Sequence, residues 1–339
     1  MPEISVIVLN WNGLRFLDTC LTALRRQRFR DFEAILVDNG SEDGSVEFVH
    51  RNFPEVSVLS LEENVGFAAG NNIGYQGTQG RWIVLLNNDT EADVNWLQAL
   101  HEAGLRHPEA GALASMMRDF HERDRIDNCG FDMTFAGATI DLGRGERFSS
   151  VWSQEKPVFG GCGGAVAYRR SMIDDIGFLD PDFFMTYEDV DLSFRAQLRG
   201  YEARFVPGAI VYHRYRATMK SYPLRQVYFS QRNIEFVYVK NMPLKLIIRY
   251  LPHRILYECG AALYFLRIGA GRPFFKAKID AFRQMPALLK KRRQIQALRT
   301  LRDSRLNALF RRSGSGAHVK KLLSAWKNSP VRCVSSQQL

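Results

Sequence analysis

Residues 82–90 read Trp82-Ile83-Val84-Leu85-Leu86-Asn87-Asn88-Asp89-Thr90. The apolar run from Ile83 to Leu86 predicts a buried strand, and the polar residues after it place oxygen atoms at the strand's carboxyl end. Asp89 offers a carboxylate, and Asn87 and Asn88 offer amide carbonyls. Hard divalent cations such as Mg²⁺ and Mn²⁺ prefer these ligands and commonly share them with substrate phosphates. The same residues also form turns readily, so this stretch alone leaves a cation site and a plain turn open.

Strand patterns and helix patterns alternate on both sides of this stretch. The predicted strands are 4–9, 32–37, 56–61, 82–86, 131–135, 139–141, a glycine-crowded strand at 160–168, 203–207 and 209–213. The predicted helices are 15–26, 45–52, a small-residue helix opening at 64–72, 95–107, 170–176 and 186–200. Residues 116–155 are polar and indicate a variable hairpin or lid. Such alternation predicts an α/β protein with a mostly parallel sheet covered by helices on both faces.

Polar clusters follow several of the predicted strands, at 10–12, 38–41, 87–89 and near 188–189. Because the carboxyl ends of parallel strands meet at one edge of a sheet, we expect these clusters to converge. Trp11 offers an aromatic face on which a base could stack, and Asp38 could accept a hydrogen bond from a base or a ribose hydroxyl. Trp11 could equally be a packing residue, and Asp38 could form an Asx-turn.

Charge is distributed unevenly along the 339 residues. The chain carries a net charge of +10, and residues 240–327 contain 21 Lys or Arg against three acidic residues, so the preceding body is acidic. Large apolar and cationic residues alternate at helical spacing through 243–289 and lead into the basic run 290–293. This pattern favours helices lying on an anionic membrane surface, with a bundle packed on the rest of the protein as the alternative. No recognition motif accompanies the charge, so nucleic acid is not expected as a partner.

The cysteines show neither paired nor zinc-ligand spacing, so we expect reduced thiols, as in a cytosolic protein. They are Cys20, Cys129, Cys162, Cys259 and Cys333. We expect no signal peptide before the first strand, and no run of about 18 uncharged apolar residues occurs. The predicted location is therefore the cytoplasm, peripheral on the inner face of the cell membrane. The sequence gives no indication of oligomeric state.

In segments 6–12, 37–45, 64–72, 85–89 and 184–192, together with His213, the chain resembles the inverting family 2 nucleotide-sugar glycosyltransferases, especially bacterial rhamnosyltransferase-like members. The resemblance covers about residues 3–235 in order. It implies a GT-A type nucleotide-diphospho-sugar transferase fold, in which a mostly parallel sheet is flanked by helices. A basic, mainly helical C-terminal extension would follow.

The resemblance also implies roles for particular residues. Asn87-Asn88-Asp89 stands where the family carries its DxD motif, with Asn in place of the first Asp. Asp89 would then be the main protein carboxylate on a divalent metal, Mg²⁺ or Mn²⁺, and His213 stands where some members place a second metal ligand. Asp189 stands at the position of the general base, directly after Glu188. We expect neighbouring Asp191 to pair with Arg195 and to be structural.

The predicted sites fall into three groups. The catalytic pair is Asp189 and Glu188, and the metal ligands are Asp89 and His213. The residues predicted to bind the nucleotide sugar are Asn10, Trp11, Asn12, Asp38, Asn39, Asn64, Gly66, Asn71, Asn72, Asn87 and Asn88.

The implied function is transfer of a sugar, rhamnose being one candidate, from a nucleotide-diphosphate donor to a lipid-linked or polysaccharide acceptor in cell-envelope glycan synthesis. We predict a catalytic domain at 1–239, a basic amphipathic membrane-associating region at 240–312 and a largely flexible tail at 313–339. A nucleotidyltransferase-like enzyme is one alternative, although the loop after the first strand lacks the glycine-rich basic sequence expected of it. A non-catalytic membrane-bound nucleotide-sugar binding protein is the other, and the intact Asp38, Asp89 and Asp189 argue against it.

Overall fold

The computed structural model describes residues 1–214 and 223–312, which divide into two compact units. The first contains Met1–Phe131, Asp141–Gln197 and residues 201–214. The second contains Asp132–Ile140, Leu198–Gly200 and residues 223–312. The tail predicted at 313–339 lies outside the described residues.

The described strands in chain order are β1 Ile4–Asn10, β2 Phe32–Asp38, β3 Ser57–Ser60, β4 Trp82–Asn87, β5 Thr90–Ala92, β6 Ala110–Asp119, β7 Ile126–Asn128, β8 Phe131–Met133, β9 Thr139–Asp141, β10 Lys156–Val158, β11 Ala165–Arg169 and β12 Glu202–His213. The helices are α1 Leu14–Arg25, α2 Ser45–Asn52, α3 Phe67–Gln76, α4 Trp96–Arg106, α5 Arg170–Ile176, α6 Glu188–Arg199, α7 Pro223–Asn241, α8 Leu244–Arg267, α9 Gly271–Arg283, α10 Met285–Leu298 and α11 Asp303–Arg312. Short 3₁₀ turns occupy Ser150–Trp152 and Pro181–Phe183.

A ten-stranded sheet forms the first unit, in the order β10-β12-β6-β11-β4-β1-β2-β3, with β5 added to β12 and β7 to β6. Strands β1, β2, β3 and β4 pair in parallel, and β12 pairs in parallel with β6. Since β11 is antiparallel to both β4 and β6, all six of these strands point the same way. The predicted α/β architecture with a mostly parallel sheet is confirmed.

Strand β1 shows why this sheet requires continuous apolar runs. Val6 and Val8 pack into a core on one face with Leu17 of α1 and Trp96 of α4. Ile7, between them, packs into a second core on the other face with residues of β4 and α6. A strand covered on both faces cannot alternate apolar and polar residues, so its polar residues appear only where the strand ends.

The predicted glycine-crowded strand at 160–168 is wrong in its first half, because the strand begins only at Ala165. Residues 160–164 run as a close-packed loop. A Cβ on Gly160 would lie 2.2 Å from the Ser193 hydroxyl oxygen, and one on Gly161 would lie 2.6 Å from a Val166 methyl. The glycines therefore allow backbone to lie against neighbouring side chains rather than to extend the strand.

The second unit is a helical bundle that includes residues 132–140 between the paired strands β8 and β9. The Phe135 ring stacks on Tyr250 at 4.3 Å between centroids. Arg254 of α8 is buried, donates to the Ala136 carbonyl and forms ion pairs with Glu235 and Glu258. The C-terminal helices therefore have an apolar and ionic interior of their own.

The domain boundary predicted after residue 239 falls inside α7, and the three-part division stays a prediction. No described helix is both long enough and apolar enough to cross a bilayer.

Candidate active site

The carboxyl ends of β1, β2 and β4 are joined by a network of side-chain hydrogen bonds. Asn10 and Asp38 are register partners, and Asn10 Nδ2 donates to Asp38 Oδ1 at 2.9 Å. Asn88 Nδ2 donates to Asn10 Oδ1 at 2.7 Å. Asp38 Oδ2 accepts from the Ser41 backbone N–H at 2.9 Å, so the Asx-turn alternative for Asp38 is also realised. We call Asn10, Asp38, Ser41 and Asn88 the donor edge. Hydrogen bonds among these residues fix the positions of their side chains.

Two backbone positions make this close approach possible. A Cβ on Gly13 would lie 2.1 Å from Asn88 Nδ2 and 2.4 Å from Asn10 Oδ1, so a larger residue here would displace the two side chains from their hydrogen bond. Asn12 adopts a positive φ of 49°, and its Oδ1 accepts from the Glu42 backbone N–H at 2.9 Å. Half-buried Trp11 directly precedes Asn12 in the chain.

The other amide side chains predicted to bind the donor hold the loops of this edge. Asn39 Oδ1 accepts from the Val65 N–H at 2.9 Å, and its Nδ2 donates to Asn64 Oδ1 at 3.0 Å. Asn71 donates to the Phe67 carbonyl one turn earlier in α3, and Asn72 bonds both backbone groups of Leu179. These contacts are structural, and the predicted contacts with a donor stay predictions.

Asp89 and His213 come together beside a third residue, Asp127 of β7. His213 Nδ1 lies 2.7 Å from Asp127 Oδ2, and His213 Nε2 lies 3.3 Å from Asp89 Oδ1. All three side chains are nearly buried. Burial lowers the pKa of His213, but its bond to Asp127 and its closeness to Asp89 outweigh this and raise the pKa to about 9. An imidazole fixed by a carboxylate on one nitrogen presents the other nitrogen in a set direction.

The chemistry of this trio suits a divalent ion shared with a substrate. Asp89 Oδ1 is buried and makes no hydrogen bond. Within residues 1–214 and 223–312, no group of three or more His, Cys, Asp or Glu is arranged as a complete metal centre. Mg²⁺ and Mn²⁺ commonly take only one or two protein carboxylates and complete their shell with water and phosphate oxygens. Asp89 Oδ1 lies 3.3 Å from His213 Nε2 and fits that requirement. An ion bound there would take the place of the proton that the raised pKa keeps on His213.

Asp189 and Glu188 begin helix α6, after a strained loop. Phe184, Thr186 and Tyr187 all have positive φ, at 59°, 63° and 69°. Such conformations are costly for residues other than glycine and concentrate at functional sites. Asp189 Oδ2 accepts from the Gly163 N–H at 2.8 Å, and its Oδ1 accepts from the Val190 N–H at 2.8 Å. We call Glu188 and Asp189 the acidic corner.

The acidic corner holds its protons more tightly than ordinary carboxyl groups do. Burial raises the pKa of Asp189 to about 6, although hydrogen bonds from the N–H groups of Gly163 and Val190 stabilise the charged form and lower it. Burial, and then the neighbouring charge of Asp189, raise the pKa of Glu188 well above its usual range. Glu188 Oε2 is buried and makes no hydrogen bond. A base with a pKa near the working pH is suited to take a proton in a reaction.

The glycine loop connects the acidic corner with the end of β4. Gly163 binds Asp189, and the next residue, Gly164, accepts a hydrogen bond from the Asn87 N–H at 2.9 Å. A Cβ on Gly164 would lie 3.2 Å from Asn87 Nδ2, so the side chain of Asn87 lies against this backbone. The loop thus links the Asp189 carboxylate to the end of β4.

Two nearby groups are not part of this chemistry. Asp191 is fully buried and pairs with Arg195 at 2.9 Å, and Arg195 also donates to the carbonyls of Ile176, Gly177 and Phe178. The predicted structural role of Asp191 is confirmed. Cys162 is no nucleophile, because burial raises the pKa of its thiol.

Sequence reasoning missed Asp127. It lies in the polar stretch that was predicted as a variable lid, and no motif surrounds it. A lone Asp in such a segment carries no signal until the fold places it 2.7 Å from His213.

Carboxylates therefore lie at the end of β2, after the end of β4 and at the start of α6. Residues 5–177 match the model of Glycosyl transferase family 2, and the chain belongs to that family. It is therefore a glycosyltransferase, as predicted. The matched segment contains the donor edge and Asp89, whereas Asp189 and His213 follow it.

The chain is 27% identical over 235 residues to N-acetylglucosaminyl-diphospho-decaprenol L-rhamnosyltransferase of Mycobacterium tuberculosis (strain CDC 1551 / Oshkosh), covering 62% of this chain and 75% of the relative. Among solved structures, it superposes on GalNAc-T7 with UDP, GalNAc and Mn²⁺ with a TM-score of 0.55 at 16% identity, covering 77% of this chain and 58% of that one. It superposes on the mannosyltransferase PcManGT from Pyrobaculum calidifontis, in complex with GDP-Man and Mn²⁺, with a TM-score of 0.51 at 18% identity, covering 97% and 88%. These likenesses to solved structures confirm the GT-A fold.

Proposed function

We propose that this glycosyltransferase moves a sugar from a nucleotide diphosphate to a hydroxyl group of a lipid-linked acceptor, with inversion at the anomeric carbon. The observation that carries this proposal is the position of Asp189. Its carboxylate is held by the Gly163 N–H, in the same loop that contacts Asn87 at the end of β4. This position supports a role for Asp189 as the base at the edge where the donor diphosphate would bind.

The reaction is a single displacement. The acceptor oxygen forms a bond to the anomeric carbon as the bond from that carbon to the diphosphate oxygen breaks. Asp189 takes the proton of the acceptor hydroxyl, and the departing diphosphate keeps the bonding electron pair. Glu188, whose pKa is raised well above its usual range, stays protonated and adds no second negative charge beside the base.

Asp89 and His213 would hold a divalent ion, and Asp127 would fix the ring of His213 toward it. A bound Mg²⁺ or Mn²⁺ would supply positive charge against the charge developing on the leaving diphosphate. Asn87, at the first position of the motif, brings a neutral amide where a second carboxylate would be expected. The protein's ligand set would therefore carry one negative charge, and the diphosphate would provide the rest.

The donor edge would bind the nucleoside part of the donor. Asp38 would accept a hydrogen bond from a base N–H or a ribose hydroxyl, and the base would stack on Trp11. Asn12 and Asn88 would lie beside the bound nucleoside. Five further residues would act indirectly, by holding the loops next to the donor edge in position: Asn39, Asn64, Gly66, Asn71 and Asn72. The mycobacterial relative suggests a lipid-diphosphate acceptor and makes a deoxysugar such as rhamnose one candidate for the transferred group.

A lipid-linked acceptor places the reaction at a membrane. We propose that residues 240–312 hold the enzyme on the anionic inner face of the cell membrane, as the excess of basic residues in this region suggests. The absence of a described membrane-crossing helix is consistent with peripheral attachment.

The test is a donor screen with two matched variants. Full-length protein is incubated with Mn²⁺, a panel of UDP-, GDP- and dTDP-sugars, and polyprenyl-diphosphate N-acetylglucosamine. Nucleoside diphosphate release that depends on both donor and acceptor is the expected result. Asp89→Asn should abolish Mn²⁺-dependent donor binding, and Asp189→Asn should keep donor binding but lose transfer. Transfer by Asp89→Asn at full rate in EDTA would contradict the metal assignment, and release of nucleoside diphosphate without acceptor dependence would contradict the acceptor.

A further inference from the structure

Helix α8 leaves one side uncovered. Six leucine and isoleucine side chains at helical spacing are between 48% and 67% exposed: Leu244, Ile248, Leu251, Ile255, Leu263 and Leu266. Their spacing places them on one side of the helix. Exposed Pro252 and Cys259 fall on the same side. We call these six residues the α8 stripe, and a patch of this kind is not expected on a surface that faces only water.

The opposite side of α8 is fixed in the helical bundle. Leu246, Tyr250, Arg254 and Ala261 are buried, and Tyr250 stacks on Phe135. The helix is therefore held in one orientation by its packed face. The α8 stripe is therefore already exposed in the folded bundle, and a partner can reach it without unfolding or detachment of the helix.

Two exposed cations border the α8 stripe. Lys245 and Arg249 are exposed beside it, and neither has an ion-pair partner among residues 1–214 and 223–312. Glu258, the only acidic residue of α8, is bound to Arg254 and Lys278. The stripe is therefore an apolar surface with a cationic margin, and its acidic residue is already neutralised.

Helix α9 also exposes large apolar side chains and a cation. Phe275, Ile279 and Phe282 are exposed at spacings of four and three residues. Exposed Arg272 lies on the same helix. The basic run 290–293, which the sequence suggested as a lipid contact, is partly engaged elsewhere. Arg292 donates to the carbonyls of Val239 and Met242 at 2.6 and 2.7 Å, so it supports the bundle.

We propose that the α8 stripe is the surface by which the protein lies on an anionic lipid bilayer. The six side chains would enter the boundary between headgroups and acyl chains, and Lys245 and Arg249 would meet the phosphates. The inference rests on the proposed function, which holds residues 240–312 on the membrane, and it names the helix that makes the contact. It assigns the contact to α8 rather than to the basic run at 290–293.

Two other occupants fit the charges less well. A second copy docking stripe to stripe would bring two basic margins together without an acidic residue to oppose them. The chain's own residues 313–339 contain four Lys or Arg and no Asp or Glu, so they too would add like charge. Anionic lipid supplies the missing opposite charge together with an apolar layer.

The test is co-sedimentation of the full-length protein with vesicles of phosphatidylcholine alone and of phosphatidylcholine with phosphatidylglycerol at 3:1. Ile248→Ser/Leu251→Ser/Ile255→Ser should lower the partition coefficient on the anionic vesicles at least about tenfold. The matched control Leu105→Ser/Val151→Ser/Leu298→Ser removes three equally exposed apolar side chains elsewhere, 65%, 72% and 50% exposed, and should bind as the unsubstituted protein does.

A second pair of variants isolates the charge. Lys245→Gln/Arg249→Gln should weaken binding to anionic vesicles about tenfold and leave binding to neutral vesicles unchanged. Arg28→Gln/Arg51→Gln, which neutralises two exposed residues of the first unit, is the control and should have a smaller effect. All the changed side chains face solvent, so each variant should fold. Circular dichroism and the melting temperature check this.

Three results would overturn the proposal. The first is a full-length protein that ignores anionic vesicles at low salt. The second is a serine variant of the stripe that binds as well as its control. The third is a wild-type dimer, seen by light scattering, that the stripe substitutions convert to a monomer, since the stripe would then join two copies. Sugar transfer to a water-soluble acceptor analogue is measured alongside, so loss of docking with preserved transfer separates this proposal from the proposed function.

Discussion

The donor edge and the acidic corner both place carboxylates at the ends of buried elements, but they treat them in opposite ways. At the donor edge, Asp38 accepts from the Asn10 side chain and the Ser41 backbone. At the acidic corner, Glu188 Oε2 is buried without a hydrogen bond, and the loop before it holds three residues other than glycine at positive φ. One region is satisfied and rigid, and the other is strained and electrostatically unfavourable.

This difference separates binding from chemistry. A satisfied network keeps its shape without a ligand, which lowers the entropy lost when a ligand binds. A buried carboxyl with few partners costs folding free energy, yet its raised pKa makes it a better proton acceptor. Substitutions at the donor edge should therefore reduce stability, whereas neutral substitutions at the acidic corner should reduce activity and spare stability.

The largest expected effect is that of Asp189→Asn. Removing the base should lower turnover about 10²–10⁴-fold with donor affinity nearly unchanged. The melting temperature should change little, because the amide oxygen can replace only one of the two acceptors for Gly163 and Val190, while loss of the buried charge offsets the missing bond. Turnover also requires the ionised form, so wild-type activity should drop as the pH falls below about 6, the pKa of Asp189. Initial rates across pH 5–8 and calorimetry check both statements.

Asp191→Asn, two residues away, is the matched control. It breaks the buried pair with Arg195, and removing one partner of such a pair costs about 3 kcal/mol or more. Its turnover per folded molecule should survive. If Asp189→Asn loses stability and keeps turnover while Asp191→Asn does the reverse, the two roles are exchanged.

The next effect concerns the hydrogen bond by which Asp127 orients His213. Asp127→Ala removes the partner of His213 Nδ1 and should weaken Mn²⁺ affinity about 10–100-fold, the range for losing a carboxylate that orients a metal-binding histidine. Asp127→Asn keeps an acceptor and should restore part of it. Electron paramagnetic resonance titration with Mn²⁺ and a nucleoside diphosphate measures the affinity directly.

Asp124→Ala provides the control, because Asp124 lies on the same segment but is exposed and pairs with Arg147. It should leave Mn²⁺ affinity unchanged. Equal losses for Asp124→Ala and Asp127→Ala would mean that the segment, rather than the bond to His213, matters.

At the donor edge, Asp38→Ala should cost about 1–3 kcal/mol of unfolding free energy, because the buried Nδ2 of Asn10 and the N–H of Ser41 lose their acceptor. Donor affinity should fall as well. Chemical denaturation measures the first quantity, and calorimetric titration with the donor measures the second. Exposed Asp31→Ala, just before β2, is the control. A destabilisation below that of Asp31→Ala would show that the network contributes nothing to folding.

The last expected effect is a change in how stability depends on pH. Because burial raises the pKa of Glu188 and Asp189, the folded state binds protons more tightly than the unfolded state. The stability contribution of this pair should therefore fall as the pH rises from about 4, near the unfolded pKa values, through the folded pKa of Asp189, about 6.

The double variant Glu188→Gln/Asp189→Asn lacks this titration. Its stability relative to wild type should rise across that window by about 3 kcal/mol, because the pKa of Asp189 is raised by about two units and each unit is worth about 1.4 kcal/mol. A difference that stays constant from pH 4 to pH 7.5 would show that neither carboxyl group titrates there.

The α8 stripe illustrates what a periodic pattern can and cannot predict. Helical spacing of apolar and basic residues indicated amphipathic helices between 240 and 312, and five helices occupy residues 223–312. The pattern could not decide between a packed bundle and a surface helix, because a helix that does both carries apolar residues on two sides. Burial in the bundle and exposure of the stripe assign the two sides.

By itself, the sequence determined the alternation of strands and helices, the strand ends at Asn10, Asp38 and Asn87, and the pair Asp191–Arg195. Each depends on residues within about one helical turn or one strand, where hydrophobic periodicity and local charge spacing act. Only the tertiary structure decided that Gly160–Gly164 is a loop, that Asn71 and Asn72 hold backbone, and that Asp127 fixes His213. These depend on contacts between distant segments, such as the 86 residues between Asp127 and His213, and no local pattern records which distant atoms will meet.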